Sequence, residues 1–297
     1  MLKTATKIAL LLGLLAAIAF GVSLFIPDRP PVARKPLPVP NGYDRLVEAG
    51  RLVASIPNDF YKLDTNSLAA IVSANSNALA NAREALLIES QVPFQSTSAY
   101  MSSHIREIES LRTLAQVFAV ETRLAALEGR SSDVARSALD IINLASKAGA
   151  QGLLIDAMIG SAIEKMGTSE LTPLISRLDA ASCRSAAGQL DAIERTREPF
   201  SDIWEREREN MRHAPGGFRA RMGAWFSSKS LKSSIAKFEG QYQDGRRKNR
   251  ELILQLASRA FELEEGRKAT NALELVPGIL SELPVDPTTS TNMIALP

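Results

Sequence analysis

One cysteine and two histidines in 297 residues remove whole classes of chemistry at the outset. Cys183 has no partner for an internal disulfide, and zinc fingers and multi-cysteine clusters are excluded. Aromatic residues make up only 5 % of the chain, while apolar residues reach 45 %. A core rich in Ala and Leu and poor in Tyr and Trp suits packed helices better than a β-sandwich. Lys and Arg nearly balance Asp and Glu, leaving a net charge of +2. The chain as a whole is therefore not a polyanion binder, and nucleic acid is not an expected partner. No G-x-S-x-G, P-loop, H-E-x-x-H or G-x-G-x-x-G stands anywhere in the sequence.

What is present begins with an apolar run, Ile8 to Ile26, that carries no charge and a single hydroxyl, Ser23. A helix of that length rises about 1.5 Å per residue and approaches the roughly 30 Å hydrocarbon core of a bilayer. Lys3 and Lys7 ahead of it also fit a secretory signal, and Ala17 and Ala19 provide an A-x-A site for cleavage after Ala19. The run continues well past that site, so the expectation is an uncleaved single-pass membrane helix, with cleavage left as the alternative. Lys and Arg flank both ends, so charge does not fix the orientation. A short N-terminal tail ahead of a signal-like segment points to a body on the extracytoplasmic side, a periplasmic location on the cytoplasmic membrane.

Four parts follow from composition: residues 1–26 as anchor or signal, 27–41 as a Pro-rich linker, 42–266 as a helical domain, and 267–297 as an extended tail. The linker holds six prolines between Pro27 and Pro40, which makes it a semi-rigid spacer. Apolar spacing then predicts an all-α body of eight to ten helices. One helix starts near Asp44 and stops before Pro57, and one or two cover Thr65 to Ser90. Ile105 to Leu127 is the most regular stretch, with Gly129 as its stop. Ser132 or Asp133 caps the next helix, which Gly149 ends. Leu153 to Met166 is unusually apolar, Ser182 to Arg212 breaks at Pro199, Phe218 to Ser234 is irregular, and Ile235 to Gly266 is helical. Residues 124–145, LAALEGRSSDVARSALDIINLA, resemble one tetratricopeptide-type hairpin. No 34-residue period repeats it, so a regular solenoid is not expected.

Candidate chemistry is sparse. Glu209 and His213 stand four apart, a metal-ligand spacing, but two ligands make no site and a solvated surface is the expectation. Cys183 has no nucleophile signature and reads as a small packing residue. The alternating charges from Asp202 to Glu209 read as an exposed helix face with local ion pairs. Asp156 and Glu164 differ, because both interrupt the apolar helix LLIDAMIGSAIEKM about 80° apart around its axis. Buried carboxylates there need partners such as arginine, or their pKa values rise. Arg206 to Arg250 holds 12 Lys or Arg against four Asp or Glu. Within it Phe218, Met222, Trp225, Phe226 and Leu231 alternate with Arg219, Arg221, Lys229 and Lys232, a pattern that suits an anionic membrane surface. The same pattern also fits an ordinary basic surface over core aromatics.

Two motifs carry a resemblance. Leu256 to Ile294 resembles a C-terminal signature of exported bacterial proteins through Gly266, Leu273, Leu275, Val276, Pro277, Leu280, Leu283, Pro284, Asp286 and Pro287. Pseudopilins of type II secretion have a related tail, but this N-terminus lacks their Gly-Phe-Thr-Leu-Ile-Glu signal. With the opening Pro40, Asn41, Gly42, Tyr43 and Asp44, the whole chain resembles a family of uncharacterised single-anchor bacterial envelope proteins. Lys268-Ala269 and Thr288-Thr289 depart from the usual tail. The resemblance implies architecture and location, and no activity. Leu275, Val276, Ile279, Leu280 and Leu283 should bury as a strap along the body. Three functions stand open. The first is a non-enzymatic, membrane-tethered module that binds a protein or assembles in the envelope. The second is a lipid-surface module acting through Phe218 to Lys232, and the third is an enzyme of unrecognised type using Asp156 or Glu164. No cofactor is implied. The expected partners are the membrane, through residues 8–26, and another envelope protein.

Overall fold

The computed structural model describes residues 35–94, 98–213 and 228–297, and these form nine α-helices and three short 3-10 turns. The helices are α1 (Gly42–Arg51), α2 (Thr65–Ala74), α3 (Ser76–Leu86), α4 (Ser98–Leu127), α5 (Ser131–Gly149), α6 (Leu154–Leu171), α7 (Ala180–Arg195), α8 (Phe200–His213) and α9 (Ser228–Glu265). The 3-10 turns are Phe60–Lys62, Thr172–Arg177 and Ala272–Leu275. Asp64 and Asp179 cap α2 and α7 by accepting from the amides of Ser67 and Ser182. The cap expected at Ser132 or Asp133 does not form: α5 starts at Ser131, and Asp133 pairs with Arg130 and Arg136 instead.

The expected membrane-spanning helix is corrected as an element of this fold. Residues 8–26 lie outside the described residues, and no described helix is long and apolar enough to cross a membrane. Length is not the obstacle, since α4 has 30 residues and α9 has 38. Both interleave charges with apolar positions, which suits packing one stripe against a protein core and not immersion in lipid. Of the expected 27–41 linker, residues 35–41 are described. Lys35 accepts a hydrogen bond from the Gln91 side chain, so this end of the spacer lies against the body.

Three clusters of buried residues hold the helices together. The first joins α1 to α5 through Tyr43, Leu46, Leu68, Leu79, Phe118 and Leu144. The second collects Ile142 of α5, Leu190 of α7, Leu256 of α9 and the tail residues Leu275 and Leu280. A third, largely aromatic, forms where Phe200 and Ile203 of α8 meet Phe238 and Tyr242 of α9 and Ala157 of α6. Helix α5 is central: Ile141 faces the first cluster and Ile142 the second. Helix α6 closes on it because Gly160 and Gly167 leave no side chain at the contact. A methyl group at either position would stand 2.9 Å from Ala145 O or 2.7 Å from Ile142 Cγ1.

The tail does not lie simply extended. It folds back, with Ala272 N donating to Ile294 O at 3.0 Å and a single bridge between Val285 and Asn292. Asp286 Oδ1 accepts from the amides of Thr288 and Thr289 and closes the turn between them. Leu275, Leu280 and Leu283 are buried under this loop.

Candidate functional site

The two carboxylates singled out in α6 are both buried, 2 % and 5 % exposed, and they face different neighbours as their angular spacing requires. Asp156 sits in the first turn of α6. Its Oδ2 accepts from the Leu153 amide at 2.7 Å, an N-terminal cap, and its Oδ1 lies 2.6 Å from His104 Nε2 of α4. The other ring nitrogen, Nδ1, lies 3.1 Å from Glu107 Oε2, 3.2 Å from the Tyr100 hydroxyl and 3.3 Å from the Tyr43 hydroxyl. Tyr43 also donates to Glu107 at 3.3 Å. Burial disfavours the charged ring, yet the contacts with Asp156 and Glu107 outweigh it and hold the His104 pKa above its ordinary value. Burial, with Glu107 and Asp156 nearby, pushes the Tyr43 hydroxyl well up, so it remains a donor.

The sequence motif at the start of α1 explains how Tyr43 arrives there. The Asn41 side chain accepts from the Gln91 amide at 3.0 Å and donates to Gln91 O at 2.9 Å, an amide standing in for a strand neighbour. Gly42 N donates to Glu89 O at 2.8 Å. Together these pin the start of α1 against the 88–91 segment and direct Tyr43 into the junction with α4.

Glu164 belongs to a second network. Its Oε1 lies 2.5 Å from Arg197 Nη2 and accepts from Asn249 Nδ2 at 2.6 Å. Arg197 also reaches Glu194 at 2.9 Å and stacks over Tyr242, 5.2 Å from the ring centre. Arg246 and Arg250 approach the other oxygen of Glu194 at 3.5 and 3.9 Å. Burial raises the Glu164 pKa, Arg197 and Asn249 pull it back, and Glu194 adds to the rise. Arg197 is buried as well, but Glu164 and Glu194 hold its proton in place. A third link joins Arg83 of α3 to Glu121 of α4 and, at 2.8 Å, to Asp140 of α5.

The remaining candidates from the sequence are not brought together with these groups. Phe218, Arg219, Arg221, Met222, Trp225 and Phe226 lie outside the described residues, while Lys229 and Lys232 fall within α9. The helical start at Ser228 corrects the expectation of irregular structure to Ser234. Cys183 is fully buried in the second cluster. The face from Asp202 to Glu209 is not simply solvated. Glu207 accepts from the Leu154 amide at 2.9 Å and Arg206 donates to Gly152 O at 3.0 Å, so α8 grips the turn ahead of Asp156. Sequence reasoning misses His104, Tyr43, Arg197 and Asn249 as site residues. The only signal for them is the need of two buried carboxylates for partners.

Two surface hollows, about 440 and 90 Å³, lie elsewhere. The larger runs between Arg247 and Glu251 of α9 and the tail from Thr291 to Pro297. The smaller lies by the α4–α5 turn between Gly129, Val134 and Leu174. Neither is lined by Asp156 or Glu164. Among the described residues no group of three His, Cys, Asp or Glu side chains is placed to hold a metal ion. Comparison with known proteins finds no match to a family model, to a curated protein or to a solved structure.

Proposed function

We propose that the helical body is a non-enzymatic module that binds a protein partner. The observation that supports this reading is the use made of its reactive side chains. Asp156 is engaged at both oxygens, by His104 and by the Leu153 amide. Glu164 is engaged by Arg197 from the break after α7 and by Asn249 of α9. Groups arranged in this way fasten helices to one another, and a substrate would have to displace a buried partner to reach them. The outer surface is what the fold leaves for recognition, and it includes apolar side chains such as Leu87, Ile105 and Met158.

The envelope is where the partner belongs on this reading. The test places a photo-crosslinking amino acid singly at Leu87, Ile105 and Met158 of the full chain in cells. A discrete adduct from some positions and not from others is expected, because a binding surface has a side. No adduct at any of the three positions, or the same adducts at all three, would overturn the reading.

A further inference from the structure

His104 is the one described ring held between two carboxylates. Asp156 of α6 lies against Nε2 at 2.6 Å and Glu107 of α4 against Nδ1 at 3.1 Å. A neutral imidazole carries one N–H and can donate to only one of them, whereas the imidazolium donates to both. We infer that His104 is a proton-operated clamp: charged, it donates to Asp156 of α6 and to Glu107 one turn along its own helix, which in turn holds Tyr43 of α1, and losing its proton loosens that junction.

The groups facing the ring can be followed element by element. From α1 comes Tyr43, with Asp44 close behind it; from α4 come Tyr100 and Glu107; from α6 comes Asp156. All the charged members are carboxylates, so the proton on His104 supplies the only cation among them. The two tyrosines decide how the neutral state behaves. With Nε2–H kept on Asp156, one hydroxyl can donate to the bare Nδ1 and the other to Glu107. No buried polar atom is then orphaned, and the loss is electrostatic: two carboxylates share a buried junction with no cation between them. The body should therefore loosen locally rather than unfold.

The loosening has an address. Asp156 caps the first turn of α6, and the turn just before it is held by Arg206 and Glu207 of α8. Tyr43 fixes α1 by the same set of bonds. A weaker His104–Asp156 contact would thus be felt at the start of α6 and at the start of α1.

The sign follows from linkage. The folded chain holds the proton more tightly than the unfolded one, so the stabilisation is complete below the ordinary imidazole value near 6.5 and fades as pH rises through the folded value. The experiment is a titration of the full chain labelled at histidine with 15N, followed by imidazole resonances from pH 5 to 10, alongside amide exchange. The chain has two histidines, His104 and His213, and His104→Gln identifies which signal is which. The expected result is an imidazolium at His104 that binds its proton more tightly than free histidine, with its midpoint displaced upward. Leu153 and Tyr43 amides should show an extra acceleration through that midpoint beyond the usual tenfold per pH unit. Glu107→Gln, which keeps an acceptor and lies at a partly exposed site, should lower the midpoint even if His104→Gln fails to fold. A midpoint no higher than that of free histidine, a midpoint indifferent to Glu107→Gln, or exchange without the extra step would each overturn the clamp.

Discussion

Arg197 and Glu164 meet at 2.5 Å with side chains 9 % and 7 % exposed, one from the break after α7 and the other from the middle of α6. Removing Arg197 leaves two carboxylates, Glu164 and Glu194, without their shared cation. Breaking a buried pair in this way costs about 3–5 kcal/mol, far more than losing an exposed one. Arg197→Met should lower the stability measured by urea at pH 7 by that amount. Part of the loss should return as pH falls, because Glu164 binds a proton more tightly in the folded chain than in the unfolded one. A loss below about 1 kcal/mol would show that the network is incidental.

Asp140 offers a second pH signature. Burial pushes its pKa from the ordinary 3.8 up to about 6, although Arg83 pulls the other way. The folded chain then holds a proton more tightly than the unfolded chain between those values. The contribution of this group to stability consequently falls as pH rises across that window. Wild-type protein should lose stability relative to Asp140→Asn between pH 4 and pH 6. Melting temperatures of the two, compared at several pH values, check this, and a constant difference would contradict it.

Two glycines should respond in opposite directions to the same added methyl group. At Gly42 the new carbon would lie 2.9 Å from Ile88 O and 3.1 Å from Ala85 O, both backbone atoms that cannot swing aside. Gly42→Ala should destabilise by about 1–3 kcal/mol. At Gly188, inside α7, nothing lies within 4 Å. Gly188→Ala should stabilise by about 0.5–1 kcal/mol through the lower entropy of the unfolded chain. Chemical denaturation of both variants provides the comparison.

The folded-back tail should matter to the body it covers. Leu275 is fully buried in the second cluster, and Leu275→Ala should cost about 2–5 kcal/mol. Ending the chain at Gly266 should lower the melting temperature further. Unchanged melting after truncation would show that the tail merely rests on the surface.

Cys183 should be inert until the protein opens. It is fully buried, and burial pushes its thiol up to about 11. Both effects suppress the reactive thiolate. A thiol reagent at pH 7 should label native protein at the rate of opening, and denatured protein within mixing time. Prompt labelling of the native chain would contradict the packing around α7.

Helical periodicity is a good guide wherever an apolar stripe meets a core. The stretch from Ile105 to Leu127 lies within α4, and the break near Pro199 separates α7 from α8. It fails at Ser228 to Ser234, where the early turns of α9 are mostly Ser and Lys and show no apolar stripe. The carboxylates at Asp156 and Glu164 stand out because charge is costly in an apolar helix. Their partners do not, because His104 is 52 residues from Asp156 and Asn249 is 85 from Glu164. No local pattern encodes such pairings. Proline, which ends helices, predicts an extended tail. Asp286 turns it and Ser290 adopts a left-handed backbone, neither of which hydrophobic spacing reveals.

Helix α5, with Ile141 turned one way and Ile142 the other, is a shared wall between two rooms. Any cut that assigns the chain to separate halves strips one side of that wall and leaves its neighbours facing water. The break at Thr196 to Pro199 is therefore no seam. Fragments made there should be unable to fold alone, yet able to regain structure when mixed, since each carries the surface the other lacks.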